Sequence, residues 1–267
     1  TVTADKNPSD RDFLPLFVEY RNKTYAAGKI PGGFFKREAR PTERETLTCR
    51  LIDRPLRPLF PDGYRHETQV VAFIISADTD FHADTLSITA ASMALNLSDV
   101  PFPEVVSGVR IAEVDGTFIP NPTFEQLEES SMDLIVAGTD EIVCMIEGEC
   151  LEVPEETLLD AIEFAHEWIR KLNALQRELL TVAGHKEKWV LTLPEKDQAM
   201  IDKVESFIGA ELKEAIVVKG KFERSNAMSA LKDKVKAEFT DADGNADPAA
   251  KEAFGTVEKR LMREMIL

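Results

Sequence analysis

The stretch Gly28–Pro61 reads GKIPGGFFKREARPTERETLTCRLIDRPLRPLFP and carries the clearest structural signals in the chain. Its centre contains a capping-box pattern, in which Thr42 is followed three residues later by Glu45. This pattern predicts a helix that begins after Thr42. The helix is expected to end near Arg54, because the prolines that follow cannot continue it. The Gly-Lys-Ile-Pro-Gly-Gly segment that opens the stretch predicts a loop directly before the helix.

Two aromatic residues and a series of cations follow the glycines of this loop. The aromatic pair and its basic neighbours are Phe34, Phe35, Lys36, Arg37 and Arg40. Single-stranded nucleic acid is bound by rings that stack on bases and by cations that contact phosphates. Paired phenylalanines are more often part of a core, so both interpretations stay open from the residues alone.

Arginines continue along the predicted helix. Arg50 and Arg54 are four residues apart and share a helical face, and Arg57 follows closely enough to join them. Arginine forks match phosphate oxygens in two-point contacts. The alternative is that these side chains are solvated or neutralised by acidic neighbours such as Asp53.

Length and composition indicate a folded protein with an uneven distribution of charge. The 267 residues are 43% hydrophobic and 30% charged, which excludes a disordered tract. The net charge is −16, yet residues 1–66 hold 13 basic and 9 acidic residues. Residues 99–160 hold 16 acidic residues and a single basic one, Arg110. A basic block on an acidic body favours a channel or cleft for a polyanion, although acidic surfaces also simply maintain solubility.

Cysteine content and hydropathy indicate a cytoplasmic protein without a membrane partner. The three cysteines, Cys49, Cys144 and Cys150, form neither a disulfide framework nor a C-x-x-C pair. No apolar run approaches the length of about 18 residues that a spanning helix needs. No secretory signal is recognised at the start, and because the first residue is Thr1 we expect a fragment.

The pattern of apolar residues predicts an α/β (α+β) domain followed by a small all-helical domain. Strands are predicted at 13–20 and at 69–77, and the second is expected to be buried on both faces because its apolar run is continuous. Two hairpins, over 105–120 and 133–147, and two helices, over 84–98 and after Pro154, complete the first domain. Helical spacing dominates beyond residue 185. The predicted domains are residues 1–182 and 183–267.

The sequence resembles the polynucleotide phosphorylase family, specifically its first ribonuclease PH-like core. The segments that carry this resemblance are Gly28–Pro61, Lys23–Ala26, Asn121–Thr123 and Asp133–Thr139. The resemblance covers the whole chain and is strongest from Tyr20 to Pro61. It implies a ribosomal protein S5 domain 2-like βαβ fold followed by a helical domain. It also implies phosphorolytic 3′-to-5′ degradation of single-stranded RNA to nucleoside diphosphates, with inorganic phosphate as co-substrate and Mg²⁺ as cofactor. The implied partners are a homotrimer and components of an RNA-degradation complex.

The same resemblance implies roles for individual residues. RNA binding is implied for Phe34, Phe35, Lys36, Arg37 and Arg40, and a supporting role in activity is implied for Arg54 and Arg57. The family's phosphate-binding serines and metal-binding aspartates lie in a second core. No catalytic residue and no metal ligand is therefore expected in this chain, and the isolated chain is expected to be inactive. One departure is Ala39, where the family usually has glycine, which makes a positive φ less expected there.

Two further groups of acidic residues are interpreted as loop residues. Asp78, Asp80 and Asp84 follow a predicted strand and are interpreted as solvated loop acids rather than metal ligands. The segment from Asp241 to Glu252 has acidic residues at calcium-loop spacing, but Ala246 replaces the required glycine, so a plain interhelical loop is expected. No histidine pair with zinc spacing and no glycine-rich phosphate loop occurs.

Three hypotheses follow. The chain is part of a phosphorolytic exoribonuclease, or an RNA-gripping and trimerising module without turnover of its own, or a non-catalytic assembly scaffold. In the scaffold hypothesis, Arg50, Arg54 and Arg57 pair with acidic residues of a neighbouring subunit, such as those at 125–133.

Overall fold

The computed structural model describes residues 1–11, 13–38, 40–184, 186–191, 197–240 and 247–267. The chain divides into two compact units, residues 1–193 and 194–267. None of the helices in the described part has both the length and the hydropathy that crossing a membrane requires. Ala39 and the start of the calcium-like segment, residues 241–246, lie outside the described residues.

The described residues of the first unit have the expected mixed α/β architecture, with two sheets and four α-helices. Its elements are β1 (Val2–Pro8), β2 (Leu16–Asn22), α1 (Glu43–Leu56), β3 (His66–Ile74), α2 (Asp84–Leu97), β4 (Ser107–Val114), β5 (Thr117–Pro120), α3 (Phe124–Glu128), β6 (Met132–Gly138), β7 (Val143–Cys150) and α4 (Glu155–Ala183). One sheet has the strand order β1-β3-β2, and the other has the order β5-β4-β6-β7. Strands β2 and β3 are parallel and joined through α1, whereas the remaining pairs are antiparallel.

Two apolar layers hold this unit together. The larger core lies between the three-stranded sheet, helices α1 and α2, and one face of the four-stranded sheet, and contains Ile52, Val70, Ile88 and Ile135. The opposite face of the four-stranded sheet packs against α4. Helix α2 approaches β4 closely, since a Cβ added at Gly108 would lie 2.7 Å from Cδ1 of Ile88.

Local signals in the sequence account for several boundaries. The hairpin β4–β5 turns at Asp115 and Gly116, whose φ angles of 51° and 73° fit the predicted two-residue turn. Helix α4 begins directly after Pro154, as expected. Helix α1 begins after Thr42, but the prediction that it ends near Arg54 is wrong. It continues through Pro55 to Leu56. The helix tolerates Pro55 because a proline in the last turn removes only one backbone hydrogen bond, and its ring is buried.

The prediction that the strand at 69–77 is buried on both faces is wrong for the described chain. Val70 faces the core, but Phe73 on the other side of β3 is 53% exposed. Phe17 on the adjacent strand β2 is 59% exposed, and Ile75 just beyond β3 is 77% exposed. In the parallel register these three residues lie on one side of the sheet. We call Phe17, Phe73 and Ile75 the open sheet face.

Residues 186–191 belong with the first unit, although the sequence places them in the helical domain. The backbone N–H of Trp189 donates to the carbonyl of Asp99, and Leu191 packs against the larger core. Nζ of Lys188 donates to the carbonyls of Leu95, Asn96 and Ser98, at 3.0, 2.9 and 2.8 Å. A cation therefore caps the C-terminus of α2, where the helix dipole favours positive charge.

We expect Lys188→Met to lower the free energy of unfolding by about 1–3 kcal/mol, because three carbonyls lose a charged donor. Lys186→Met is the matched control, since Lys186 is exposed two residues away. Its expected effect is within about 0.5 kcal/mol. Urea unfolding followed by circular dichroism measures both variants. Equal stabilities would show that the cap contributes nothing.

The second unit is all-helical, as expected. Its helices are α5 (Gln198–Ile216), α6 (Lys221–Glu238) and α7 (Pro248–Ile266). Asp197 caps α5 by accepting from the N–H of Met200, and Asp247 caps α7 by accepting from the N–H of Ala249. One apolar core joins the three helices and contains Val204, Leu212, Val235, Phe254 and Val257.

Candidate nucleic-acid interface

The aromatic pair lies at the tip of the loop that precedes α1. Phe34 is 94% exposed and Phe35 is 78% exposed. Their rings are edge-to-face, with centroids 5.4 Å apart and an interplanar angle of 86°. Gly33 makes the turn possible with a φ of 77°. The interpretation of these phenylalanines as core residues is therefore wrong for the described chain, and two rings are presented to solvent.

The cations beside the rings are exposed, while the base of the loop is fixed. Lys36, Arg37 and Arg40 are all exposed. Between them, Glu38 accepts a hydrogen bond of 2.9 Å from the N–H of Thr24, and its other oxygen lies 3.7 Å from Nζ of Lys23. The structure thus combines an anchored base with an accessible aromatic and cationic tip.

The predicted capping box is present and fixes the other end of the loop. The Thr42 hydroxyl accepts from the N–H of Glu45, and the Glu45 carboxylate accepts from the N–H of Thr42. The same carboxylate accepts from the N–H of Asn22, at the end of β2. Burial would raise the pKa of Glu45, but the N–H donors of Thr42 and Asn22 outweigh it and lower the pKa. Glu45 therefore joins helix α1 to strand β2 as a buried carboxylate.

The arginines of α1 separate in the structure. Arg50 is exposed, and Arg54 forms an ion pair with Glu147 on β7. Arg57 does not join them. Its guanidinium is held by Asp53 at 2.7 Å and donates to the carbonyls of two residues around the start of β2, Leu14 and Leu16. These contacts give Arg57 a structural role in attaching α1 to β2.

A buried charge network, which the sequence interpretation missed, lies at the N-terminus of α2. The guanidinium of Arg110 is bound by Asp133 and, at 2.8 Å, by Asp84. The interpretation of Asp84 as a solvated loop acid is wrong, since Asp84 is 7% exposed. Asp78 and Asp80 are exposed, as expected. The sequence did contain a signal for this network. Arg110 is the single basic residue among 16 acidic ones in residues 99–160, and apolar strand residues flank it.

His82 connects this network to helix α1. Its Nδ1 accepts from the guanidinium of Arg44 and lies 3.7 Å from the Asp84 carboxylate. Burial lowers the pKa of His82, and the positive charges of Arg110 and Arg44 lower it further. The neutral ring thus accepts from Arg44 on the first turn of the helix that follows the loop.

These carboxylates do not fit a magnesium site. Asp84 accepts from the guanidinium of Arg110 with one oxygen and from the N–H of Thr85 with the other, and both oxygens of Asp133 accept from Arg110. The Asp78 carboxylate accepts from the N–H of Asp80. In the part of the chain that the structure describes, no three histidine, cysteine or acidic side chains are arranged to hold a metal ion. No chemical step is therefore assigned to a metal held by these residues.

Comparison with protein-family models identifies related domains along most of the chain. Residues 1–101 match domain 1 of the 3′ exoribonuclease family, and residues 104–167 match domain 2. Residues 199–267 match the model described as "Polyribonucleotide nucleotidyltransferase, RNA binding domain". The first two matches lie within the α/β unit, and the third lies within the helical unit.

Curated relatives show the same relationship. The chain is 45% identical over 269 residues to the polyribonucleotide nucleotidyltransferase of Syntrophotalea carbinolica, which includes 99% of the chain and 38% of the relative. The enzymes of the same name from Geotalea daltonii and Bacillus subtilis are 44% and 42% identical, each over 100% of the chain. The chain thus spans about 38% of the length of these relatives.

Proposed function

Because the chain belongs to the 3′ exoribonuclease family, as a polyribonucleotide nucleotidyltransferase segment, we propose that it is the RNA-holding part of a phosphate-dependent 3′-to-5′ exoribonuclease. The whole enzyme would degrade single-stranded RNA in the cytoplasm to nucleoside diphosphates. Inorganic phosphate is the attacking co-substrate, and Mg²⁺ offsets charge at a site supplied by a second core. One observation carries the proposal, namely the two exposed rings at the tip of an anchored cationic loop.

The loop has the chemistry that single-stranded RNA requires. Phe34 and Phe35 offer aromatic faces to bases without regard to sequence, as a processive degrading enzyme needs. Lys36, Arg37 and Arg40 contact the phosphates. Arg54 supports activity from the adjacent helix, where its pairing with Glu147 leaves it half exposed. For Arg57 we propose an indirect contribution, through the attachment of α1 to β2.

Subunit assembly is a second role, and the open sheet face favours it. Phe17, Phe73 and Ile75 expose large apolar side chains on one side of a sheet whose central strand has a continuous apolar sequence. We propose that this face is buried in a homotrimer, to which other components of an RNA-degradation complex attach. The contacts of Arg54 and Arg57 are with acidic residues of the same chain, which does not favour their pairing with a neighbour's acids.

Phosphate-dependent release of nucleoside diphosphates from poly(A) in the presence of Mg²⁺ tests the enzymatic proposal. We expect no release from this chain alone, and release from a mixture with a separately produced second core. A second core alone is the control. Activity of this chain alone would contradict the proposal that the chemistry resides elsewhere, and an inactive mixture would contradict the proposed partnership.

A further inference from the structure

Glu38 is the one acidic residue in the loop that precedes α1. Residues 28–41 contain four basic residues, and Glu38 lies between two of them, Arg37 and Arg40. A carboxylate at this place repels the phosphates that the neighbouring cations attract. On charge alone, Glu38 therefore weakens the binding of RNA, and a loop that binds RNA gains from it only if the carboxylate has another function.

The carboxylate of Glu38 contacts the segment that follows strand β2. One oxygen accepts a hydrogen bond of 2.9 Å from the N–H of Thr24, and the other lies 3.7 Å from Nζ of Lys23. The Glu38 side chain is 27% exposed, whereas Phe34 nearby is 94% exposed. Among the described residues of 30–41, no other hydrogen bond joins the loop to the rest of the chain. Glu38 is thus the polar attachment of the loop between its two ends.

The segment that receives Glu38 is itself fixed to the sheet. Thr24 begins a 3₁₀ turn, Thr24–Ala27, just after the end of β2. Ala26 in this turn is buried, and its carbonyl accepts a hydrogen bond of 3.0 Å from the N–H of Ala77, just beyond β3. Through Glu38, the loop is therefore attached to a turn that is held at the ends of two paired strands.

The backbone turns twice between the first glycines of the loop and Glu38. Gly33 and Lys36 have φ angles of 77° and 51°, so a left-handed residue lies on either side of the two phenylalanines. Lysine rarely adopts this conformation, which persists where neighbouring contacts hold it. The bond from Thr24 to Glu38, two residues after Lys36, is such a contact. The direction in which the rings and cations project therefore depends on Glu38.

We propose that Glu38 is a positioning residue, which holds the two rings and the cations of the loop in the orientation that binds single-stranded RNA. This role rests on the proposed RNA-binding function and attributes the preorganisation of the loop to one carboxylate. A loop that is already ordered loses less conformational entropy when it binds. For Glu38, this gain exceeds the repulsion between the carboxylate and the phosphates.

Removing the carboxylate is the direct test, because charge and positioning predict opposite changes in affinity. We expect Glu38→Ala to bind a fluorescein-labelled oligo(A) about three- to tenfold more weakly, which is the range that the net contribution of one hydrogen bond allows. Glu43→Ala removes the same charge from an exposed position on the first turn of α1 and is the control. We expect it to bind at least as tightly as the wild type. Fluorescence anisotropy at fixed salt measures both affinities.

Glu38→Gln separates the hydrogen bond from the charge. The amide oxygen of glutamine can still accept from the N–H of Thr24, while the repulsion of the phosphates is removed. We therefore expect an affinity equal to that of the wild type or higher. A loss as large as that of Glu38→Ala would overturn the role of this hydrogen bond.

Thr24→Pro removes the donor instead of the acceptor. Proline is tolerated at the first position of a helix, and Lys23 before it has a φ of −81° and a ψ of 146°, the extended conformation that a residue before proline adopts. The Thr24 hydroxyl has no hydrogen-bond partner among the described residues, so no side-chain bond is lost. We expect Thr24→Pro to weaken binding as much as Glu38→Ala does, and the double variant to bind no more weakly than either. Additive losses would overturn the proposal, and circular-dichroism melts show that each variant is folded at the assay temperature.

The outcomes separate the positioning role from the proposed function. Weaker binding by Phe34→Ala with Phe35→Ala, together with unchanged or tighter binding by Glu38→Ala, would retain the loop as the RNA site and overturn the role of Glu38. Unchanged binding by the phenylalanine variant would reject the loop as the RNA site and the positioning role with it. A wild-type chain that does not bind oligo(A) would also overturn both.

Discussion

Replacing Phe34 and Phe35 by alanine is expected to weaken the binding of oligo(A) by about 30-fold or more, because base stacking contributes about 1–3 kcal/mol per ring. Both rings are almost fully exposed, so their removal leaves no cavity and no unsatisfied polar group. The free energy of unfolding should therefore remain within about 0.5 kcal/mol of wild type. Fluorescence anisotropy at fixed salt measures the affinity, and urea unfolding measures the stability.

A matched double substitution on the open sheet face distinguishes RNA binding from subunit assembly. Phe17→Ser with Phe73→Ser also removes two exposed phenylalanines, but from a face whose nearby arginines, Arg11 and Arg21, are paired with Glu67 and Glu19. We expect this variant to retain affinity for oligo(A) and to have a lower molar mass by light scattering. The loop variant should show the opposite combination. If the loop variant instead retained its affinity for oligo(A) but had a lower molar mass, the result would favour the scaffold hypothesis.

Arg110→Met is expected to have the largest effect on stability, lowering the free energy of unfolding of the first unit by about 3–5 kcal/mol. Arg110 is 6% exposed and is held by two carboxylates, of which Asp84 is itself buried. Removing the guanidinium leaves an uncompensated negative charge in the interior, which is costlier than the loss of an exposed pair. Urea unfolding at neutral pH measures the effect.

Two further variants isolate this cause. Arg54→Met breaks the half-exposed pair with Glu147, and we expect a loss of at most about 1 kcal/mol. Combining Arg110→Met with Asp84→Asn and Asp133→Asn removes the orphaned charges, so part of the lost stability should return. A triple variant less stable than Arg110→Met would show that packing around the guanidinium, rather than charge, explains the loss.

Local signals predicted the elements that position the loop. The capping box at Thr42 and Glu45 depends only on residues three apart, and the Asp115-Gly116 turn depends on two adjacent φ angles. Such short-range determinants are readable from sequence. The exposure of Phe34 does not follow from local sequence, because a phenylalanine after two glycines is compatible with either a core or a binding surface.

Long-range partners were not readable. The interpretation of Asp84 failed because its partner, Arg110, is 26 positions away and meets it only after α2 packs against β4. Arg57 was expected beside Arg54, but carbonyls more than 40 positions earlier in the chain hold it. The continuous apolar sequence of β3 predicted burial without showing what covers each face. Pairing across the fold, rather than local propensity, decides these positions.

The cap on α2 has a consequence for the order in which the chain folds during translation. Ser98, whose carbonyl receives the last of the three bonds from Lys188, is 90 positions before that lysine. At an elongation rate of about 5–20 residues per second, Lys188 is synthesised roughly 5–20 s after the last residue of helix α2. The β4–β5 and β6–β7 hairpins and all of α4 are made within this interval. The first unit is therefore completed only when residues 186–191 pack against it, and a nascent chain released before Lys188 would present α2 without the ammonium group at its C-terminus.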